Sequence, residues 1–292
     1  MVEQELRRGR DVLLHVLDAS KTGLMGVTRE TARSLAASAP GRVRVVIDAC
    51  QLRNPLAQFR RDLADGFMVT VTGSKFAAGP PFAGALLLSA AIADEIAARA
   101  AILNGLSDYT TAFDWPEALR GCPGFTFKFE ANIGLGLRWA AALDAIAAYA
   151  AVGEAQQALI IDHFNRQVRE RAAGVSGVAL HPDDAAEHLG SRSIIPLTVK
   201  MDEGTFAPLN EVQRMQVALR EPADGPVCHV GQAVRVGPRN VLRVAISAQD
   251  VAAVAVQMAA GQSLEKAFRP VASDLDAVFA KWSKITHRFR VE

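Results

Sequence analysis

The sequence predicts an α/β protein in two parts: a mostly parallel β-sheet covered by helices on both faces, and a smaller α+β region after it. Three observations support this prediction. Short apolar runs alternate with amphipathic segments from Asp11 to Leu88, the middle of the chain is rich in Ala and Leu at helical spacing, and short strands with polar turns follow Gly177. At 292 residues the chain exceeds a usual single domain.

The first part contains four predicted strands and three predicted helices. The strands are the apolar runs Val12 to Leu17, Val43 to Ile47, Met68 to Val71 and Ala83 to Leu88. Apolar residues recur at intervals of three and four in the predicted helices Thr28 to Ser38, Pro55 to Asp65 and Ala90 to Ala100. The run at Val43 leads directly to Asp48. Because strand ends face the ligand crevice in open α/β sheets, this carboxylate is well placed for function.

The second part begins after two predicted helices between Ala131 and Ala173, with a break at Gly153. Three further strands and one helix are predicted at Val178 to His181, Ser193 to Met201, Val241 to Ser247 and Leu209 to Arg220. We therefore expect one domain over residues 1–152, and a connecting helix with a small C-terminal α+β domain over residues 153–292.

The composition favours a protein that binds a small molecule. Thirty-two Lys and Arg against 31 Asp and Glu give a net charge of +1, so there is no electrostatic reason to expect nucleic acid or an anionic membrane as a partner. The three cysteines, Cys50, Cys122 and Cys228, are widely separated, which argues against disulfides and a metal site and favours the cytoplasm. The start of the chain has no signal-peptide pattern, and the Ala-rich stretches carry charges, so we expect no membrane span.

Two motifs near the strand ends hold residues suited to cofactor chemistry. The first is Ile47-Asp48-Ala49-Cys50-Gln51, and the second is Thr70-Val71-Thr72-Gly73-Ser74-Lys75, which is followed by Gly79-Pro80-Pro81. Asp48 and Lys75 lie 27 residues apart with one predicted helix between them, so a strand–helix–strand unit brings both to one sheet edge. Pyridoxal phosphate chemistry needs a lysine amine for the Schiff base and a carboxylate at the ring nitrogen.

Lys75 also has a suitable neighbourhood for this role. It is the only Lys or Arg between Met68 and Ala98, among apolar and hydroxyl side chains, where desolvation would favour the neutral amine. The hydroxyls of Thr72 and Ser74 could donate to a phosphate, and Gly73 permits close backbone approach.

Together these motifs resemble the class V aminotransferase and cysteine desulfurase group of fold type I pyridoxal phosphate enzymes. The pattern of that group is Asp-Ala-x-Gln, about two dozen residues, then Ser-x-His-Lys and a Gly-Pro turn. The resemblance implies Lys75 as the Schiff-base lysine, Asp48 at the pyridine nitrogen, Gln51 at the phenolic oxygen and Thr72 as a phosphate ligand. Ser74 stands where the group usually has His. A phosphate contact is therefore still possible in principle, but the role of the His is lost.

The resemblance extends to both sides of these motifs. The segment from His15 to Gly23 is similar to the one that places a small polar residue over the phenolic oxygen, with Ser20 as first candidate and Thr22 as second; a capped turn is the other interpretation. Phe129-Glu130-Ala131-Asn132 is similar to a phosphate-contacting stretch, although Asn132 is a better helix N-cap.

The strand from Val241 to Ser247 resembles the one whose Arg binds the substrate carboxylate, which selects Arg243. The planar guanidinium can bond a carboxylate at two places, and an edge-strand Arg without a ligand is the alternative. Cys228 lies where desulfurases carry a nucleophilic cysteine, with His229 beside it; a different alignment puts Val230 there and leaves Cys228 an inert core thiol.

The resemblance covers only about the last three fifths of that fold, so we expect an N-terminal part with a phosphate-binding loop to be missing. It implies transamination or a related reaction at the α-carbon of an amino acid, in a homodimer. Two alternatives remain at this point. One is a cysteine desulfurase or selenocysteine lyase that uses Cys228, and the other is a non-catalytic, truncated homologue.

Overall fold

The computed structural model describes residues 1–23, 25–99, 105–120, 126–181, 193–202 and 204–291. The chain forms two compact units. Unit 1 comprises Met1–Ser20 and Met25–Ala147, and unit 2 comprises Lys21–Leu24 and Ala148–Glu292. The division at Ala147 lies five residues before the boundary that the sequence suggested after residue 152.

Unit 1 is built on a four-stranded sheet in the order β1-β2-β3-β4. The strands are β1 (Val12–Leu17), β2 (Val43–Asp48), β3 (Met68–Thr72) and β4 (Gly84–Leu87). The first three are parallel, and β4 is antiparallel to β3. The central strand β2 is apolar and almost wholly buried, as expected for a parallel strand covered on both faces.

Six helices belong wholly or mainly to unit 1. They are α1 (Val2–Arg7), α2 (Arg29–Ser38), α3 (Leu56–Ala64), α4 (Ala90–Arg99), α5 (Glu117–Arg120) and α6 (Ile133–Ala150). Thr28 caps α2 by accepting a hydrogen bond from the Thr31 amide, and Asn132 caps α6 by accepting one from the Leu135 amide at 2.9 Å. Each cap satisfies a backbone donor that the first turn leaves without a helical partner.

Unit 2 holds a second four-stranded sheet, in the order β5-β6-β8-β7 with every pairing antiparallel. The strands are β5 (Val178–Leu180), β6 (Ile194–Val199), β7 (Gly231–Val236) and β8 (Arg239–Ala245). The helices are α7 (Glu154–Ala173), α8 (Leu209–Arg220), α9 (Ala248–Ala259), α10 (Leu264–Ala267) and α11 (Arg269–Val291). Large apolar side chains from the sheet and from α7, α8 and α11 form its core, including Phe164, Ile195, Met215, Leu242 and Trp282.

A buried lysine ties α11 to the end of α8. Lys281 is 1% exposed, and its ammonium donates to the carbonyls of Leu219, Glu221 and Pro226. The carbonyls at a helix C-terminus have no helical partner and carry the negative end of the dipole, so they solvate this buried charge.

Most predicted elements match the structure within two residues. β1 and α8 have the predicted ends, and α7 begins after Gly153, where the sequence predicted the break. The sequence analysis did not identify β7, whose polar residues alternate with apolar ones beside a glycine-rich turn, or the C-terminal helices α9 to α11. α6 is long and apolar enough, by length and composition alone, to cross a membrane, although Arg138 and Asp144 lie within it.

Two glycines let the loop after β3 pack closely on α6. A Cβ at Gly73 would lie 2.4 Å from the Cβ of Ala142, and one at Gly79 would lie 2.8 Å from the same atom. Both distances are well inside van der Waals contact. The sequence between Gly73 and Gly79, which contains Lys75, is thus held against a rigid helix.

Gly73→Ala is therefore expected to destabilise the protein. Because the added methyl group would force apart β3 and α6, the free energy of unfolding should fall by about 1–3 kcal/mol. Gly84→Ala is the matched control, since a Cβ there meets nothing within 4 Å. Urea unfolding followed by circular dichroism measures both; equal stability of the two variants would contradict the close packing.

Candidate functional site

The carboxyl ends of β2 and β3 lie side by side in unit 1 and carry the two predicted motifs. Asp48 is the last residue of β2 and pairs with Thr70 of β3, and the chain continues from Thr72 through Gly73 and Ser74 to Lys75. The parallel pairing places both loops at one edge of the sheet, as the sequence predicted. Asp48 and Ser74 are half-buried, and Lys75 is exposed.

The turn after Asp48 is fixed by its own backbone and by the neighbouring strand. The amide of Cys50 donates to Oδ1 of Asp48 at 3.1 Å, and Oγ1 of Thr72 donates to the Cys50 carbonyl at 2.9 Å. Leu52, with a positive φ of 52°, closes the turn by donating its amide to the Ala49 carbonyl at 2.8 Å. Asp48 is thus held by an Asx-type turn.

The hydroxyl of Thr72 has a different partner from the one predicted. Its single proton is directed at the Cys50 carbonyl, so it would have to rotate before it could donate to a phosphate. In this arrangement Thr72 joins the two motifs to each other. Ser74 is the hydroxyl in this loop that remains a candidate for a phosphate contact.

Lys75 lies in a compact loop on a buried base. The amide of Ala78 donates to the Lys75 carbonyl and that of Gly79 donates to the Gly73 carbonyl, both at 3.0 Å. The next residue, Phe76, is 2% exposed, and the guanidinium of Arg53 lies 4.9 Å from the centre of its ring. Packing of Phe76 therefore anchors the backbone of Lys75, while the Lys75 side chain reaches solvent.

The pKa of Cys50 is affected by both Asp48 and Lys75. Burial raises the pKa of the Cys50 thiol, the hydrogen bond and charge of Asp48 raise it further, and the charge of Lys75 lowers it. Charges affect a thiol pKa over distances of up to about 10 Å. The thiol therefore lies in the neighbourhood of both groups, whereas the sequence analysis treated Cys50 only as one of three widely separated cysteines. Its place inside the Asp-Ala-x-Gln motif was the available signal.

Gln51 and Ser20 occupy the surroundings of this edge in different ways. Gln51 is 7% exposed and lies in the turn after Asp48. Ser20 follows β1, the strand next to β2, and is half-buried. Thr22, the second candidate, belongs to unit 2 and is 6% exposed, so Ser20 is the candidate that unit 1 contains.

Arg243 lies on β8 in unit 2, half-buried, with part of its guanidinium bound to backbone. Nε donates to the Gln232 carbonyl at 3.1 Å and Nη1 to the Lys21 carbonyl at 2.7 Å. Burial lowers the pKa of Arg243. Within the part of the chain that the structure describes, no carboxylate forms an ion pair with it, which leaves its charge available to an anion.

A cavity of about 240 Å³ adjoins Arg243 within unit 2. Phe164, Val244, Leu275 and Val278 are among its apolar residues, and His229, Asp250 and Asp274 are the other polar ones. The lining mixes apolar and polar groups in about equal measure, which suits a small polar molecule.

Cys228 does not have the environment of a nucleophile. It is 5% exposed, its Sγ lies 3.3 Å from the Pro226 carbonyl, and burial raises the pKa of the thiol. A reactive cysteine needs access and a lowered pKa. The structure thus agrees with the alternative in which Cys228 is a core thiol.

Asn132 and His163 have structural explanations. Asn132 is the N-cap of α6, as the sequence favoured. The ring of His163 packs edge-on against Phe268, with 4.7 Å between ring centres, and burial lowers its pKa. Cys122 lies outside the described residues. In the described ranges, no group of three or more His, Cys, Asp or Glu side chains could hold a metal ion.

Comparison with known proteins identifies the fold. No family model and no curated protein matches the sequence. Among solved structures, the ureidoglycine-glyoxylate aminotransferase from Bacillus subtilis matches 96% of this chain with a TM-score of 0.54 and 12% identity. A structure described as SPT matches 100% of this chain with a TM-score of 0.52 and 12% identity.

The chain shares the fold of these enzymes. It spans 67% of the length of the aminotransferase and 66% of that of SPT. At this identity the likeness shows the fold alone: it agrees with the fold that the sequence resemblance implies, and it does not distinguish class V from other classes. The parallel sheet of unit 1 is the part of that architecture that carries the candidate residues.

The two described cysteines are expected to differ in reactivity. Cys50 should react with a thiol reagent faster than Cys228, because Cys50 is partly exposed and Cys228 is buried. Since the pKa of Cys50 is raised, its thiolate forms only at higher pH. The rate of Cys50 modification should therefore still increase with pH above about 8.5, the ordinary pKa of a thiol.

Mass spectrometry of alkylated peptides, taken over time and pH, measures each cysteine separately. The same reaction in denaturant is the control and should modify both at similar rates. Faster modification of Cys228 in the folded protein would contradict its buried environment.

Proposed function

We propose that this protein is a pyridoxal phosphate-dependent enzyme of the class V aminotransferase type that acts at the α-carbon of an amino acid. The observation that carries the proposal is the placement of Asp48 and Lys75 at one sheet edge, where both act on the Cys50 thiol. The fold shared with an aminotransferase supports transamination as the reaction.

The donor set of this edge fits the reactive parts of the cofactor. Lys75 would hold the aldehyde carbon through its amine, and Asp48 would face the ring nitrogen. When bound, the cofactor supplies an electron sink for charge that develops at the substrate α-carbon. Gln51 and Ser20 would donate to the phenolic oxygen, and Ser74, together with Thr72 after rotation, would donate to the phosphate.

Each of these residues has a defined task. Asp48, oriented by the Cys50 amide, would hold a proton at the ring nitrogen of the bound cofactor through its negative charge. Lys75 reaches the site from a loop anchored by Phe76, and its exposed amine is free to take or return a proton at the substrate α-carbon. The close packing of Gly73 and Gly79 on α6 limits movement of that loop.

Arg243 is proposed to bind the substrate carboxylate. The guanidinium charge is partly desolvated and adjoins a cavity, and two of its nitrogens are already oriented by backbone carbonyls. A desolvated Arg binds a carboxylate more strongly than one in water. Unit 2 would then be the small C-terminal α+β domain of this fold. We further propose a soluble, cytoplasmic enzyme without nucleic acid or membrane partners.

Loss of Lys75 is expected to abolish covalent cofactor capture. Borohydride reduction in the presence of pyridoxal phosphate should attach the cofactor to Lys75, and Lys75→Ala should lose this label because Lys75 is the amine that the second motif supplies at this sheet edge. Lys128→Ala is the matched control, since Lys128 is an exposed lysine of unit 1 in an ion pair with Asp108. Peptide mapping by mass spectrometry identifies the labelled lysine. Labelling spread evenly over surface lysines would contradict the proposal.

A homodimer is also proposed, through an exposed apolar patch of unit 1. Five exposed large side chains form this patch, and they are Tyr109, Phe113, Phe129, Ile133 and Leu137. Backbone hydrogen bonds from Ala112 and Phe113 to residues 129 and 130 bring the segments together. Contiguous apolar surface of this kind favours association with another protein surface, here a second copy.

Leu137→Glu should shift the protein from dimer to monomer, because a carboxylate in an apolar interface lacks a partner. Val256→Glu, at an equally exposed position in unit 2 (64% against 67% for Leu137), should leave the dimer intact. Light scattering after gel filtration measures the mass. A monomeric parent protein, or an unaffected Leu137→Glu dimer, would rule out this surface.

A further inference from the structure

The carboxylate of Asp18 is the centre of a buried cluster in unit 1. Asp18 is 1% exposed and its Oδ1 accepts hydrogen bonds from Nη2 of Arg29 and from Nδ2 of Asn54, both at 2.5 Å. Arg29 also holds Asp62, with Nε at 2.7 Å from Oδ1 and Nη2 at 2.9 Å from Oδ2. Gln58 completes the cluster by donating to Asp62 at 2.9 Å.

The charges of this cluster are not balanced. Two carboxylates with fully buried side chains share one guanidinium, and Oδ2 of Asp18 is buried without a hydrogen-bond partner in the described part of the chain. Burial raises the pKa of Asp18 and outweighs the attraction of Arg29. A buried group of this kind contributes little net stability, because desolvation offsets the Coulombic gain. Its contribution is to geometry, since its bonds are short and directional.

The cluster joins the segments that carry the candidate site residues. Asp18 directly follows β1, its amide donates to the Asp48 carbonyl at 3.0 Å, and Ser20 lies two residues further on. Asn54 belongs to the turn that follows Gln51. Asp18 thus contacts the end of the strand that bears Asp48 through its backbone, and the turn after Gln51 through its side chain.

Arg29 fixes the other side of the same carboxylate. It is the first residue of α2, and Asp62 lies in the C-terminal half of α3, so the guanidinium connects the start of α2 to the last turn of α3. Its side chain is 13% exposed and its fork is fully oriented by the two carboxylates. Asp18 and Arg29 together therefore connect the segment that leads to Ser20 with the end of β2 and with α2 and α3.

We propose that Asp18, held by Arg29 and Asn54, is a positioning residue that sets Ser20, Asp48 and Gln51 at the spacing the cofactor ring requires. The inference rests on the proposed function and goes beyond it, since Asp18 itself would touch neither cofactor nor substrate. Misplacement of supporting residues by a fraction of an ångström is enough to weaken a preorganised site.

The test compares the cluster with an exposed ion pair between the same two helices. Asp18→Asn removes the charge, Arg29→Lys removes the fork, and Asn54→Ala removes one hydrogen bond while leaving both ion pairs. Arg33→Lys is the matched control, because Arg33 of α2 binds Asp65 at the end of α3 at 2.6 Å with 46% and 30% exposure. Affinity for pyridoxal phosphate is measured by titration well below the unfolding temperature, and unfolding is followed separately.

The affinity for pyridoxal phosphate should fall about tenfold or more in Asp18→Asn and Arg29→Lys, and less in Asn54→Ala, as found for supporting partners of other bound groups. Arg33→Lys should bind as the parent protein does. Affinity equal to that of the parent in both charge variants, even with a lower unfolding temperature, would show a purely structural cluster and overturn the inference. If neither charge variant folds, the affinity of Asn54→Ala for pyridoxal phosphate is compared with that of the parent protein, and equal affinity overturns the inference.

Amide hydrogen exchange separates this inference from the proposed function. In the absence of cofactor, Asp18→Asn should exchange faster than Arg33→Lys at the amides of Asp18 and Gly26, which donate to the carbonyls of Asp48 and Leu17. Unchanged exchange at both amides overturns the positioning role. A parent protein that binds no pyridoxal phosphate, with exchange accelerated as expected, would reject the proposed function and leave the positioning of the loops supported.

Discussion

The parallel pairing of β2 with β3 is the constraint on which the candidate site depends. Because a parallel pair needs a crossover, the chain leaves β2 at Asp48, forms α3 and returns through β3 in the same direction. Both strands therefore end at the same edge. Two motifs that are far apart in sequence become neighbours through backbone hydrogen bonds alone, before any side chain contributes.

Side chains then refine what the pairing provides. Thr72 joins the second motif to the first through the Cys50 carbonyl, and the Cys50 amide orients Asp48. The loop around Lys75 rests on α6 through two glycines and on a buried Phe76. The Asp18 cluster places two buried carboxylates on one guanidinium and bonds the end of β1 to the end of β2.

Unit 2 follows a different principle, since its sheet is antiparallel and its apolar side chains form a separate core. Its most buried charge, on Lys281, is solvated by carbonyls at the end of α8. Arg243 contrasts with it. Its guanidinium has backbone partners and lines a cavity, and among the described residues no carboxylate forms an ion pair with it. A buried cation with carbonyl partners only, such as Lys281, is structural. A cation that lines a cavity, such as Arg243, suits a transient anionic partner.

The sequence by itself determined the four strands of unit 1 and its helices α2, α3 and α4, because apolar periodicity and the residues at element ends encode them locally. It also determined that the strands leading to Asp48 and Lys75 end at one sheet edge, since the direction of a strand–helix–strand unit is nearly fixed. Only the tertiary structure decided the partners of individual side chains. The hydroxyl of Thr72 donates to the Cys50 carbonyl, and the thiol of Cys228 is buried. Asp18 binds Arg29 and Asn54, and Arg29 binds Asp62. These contacts link residues that are distant in sequence, and no local pattern specifies them. The position of β7 was decided in the same way, by pairing with β8.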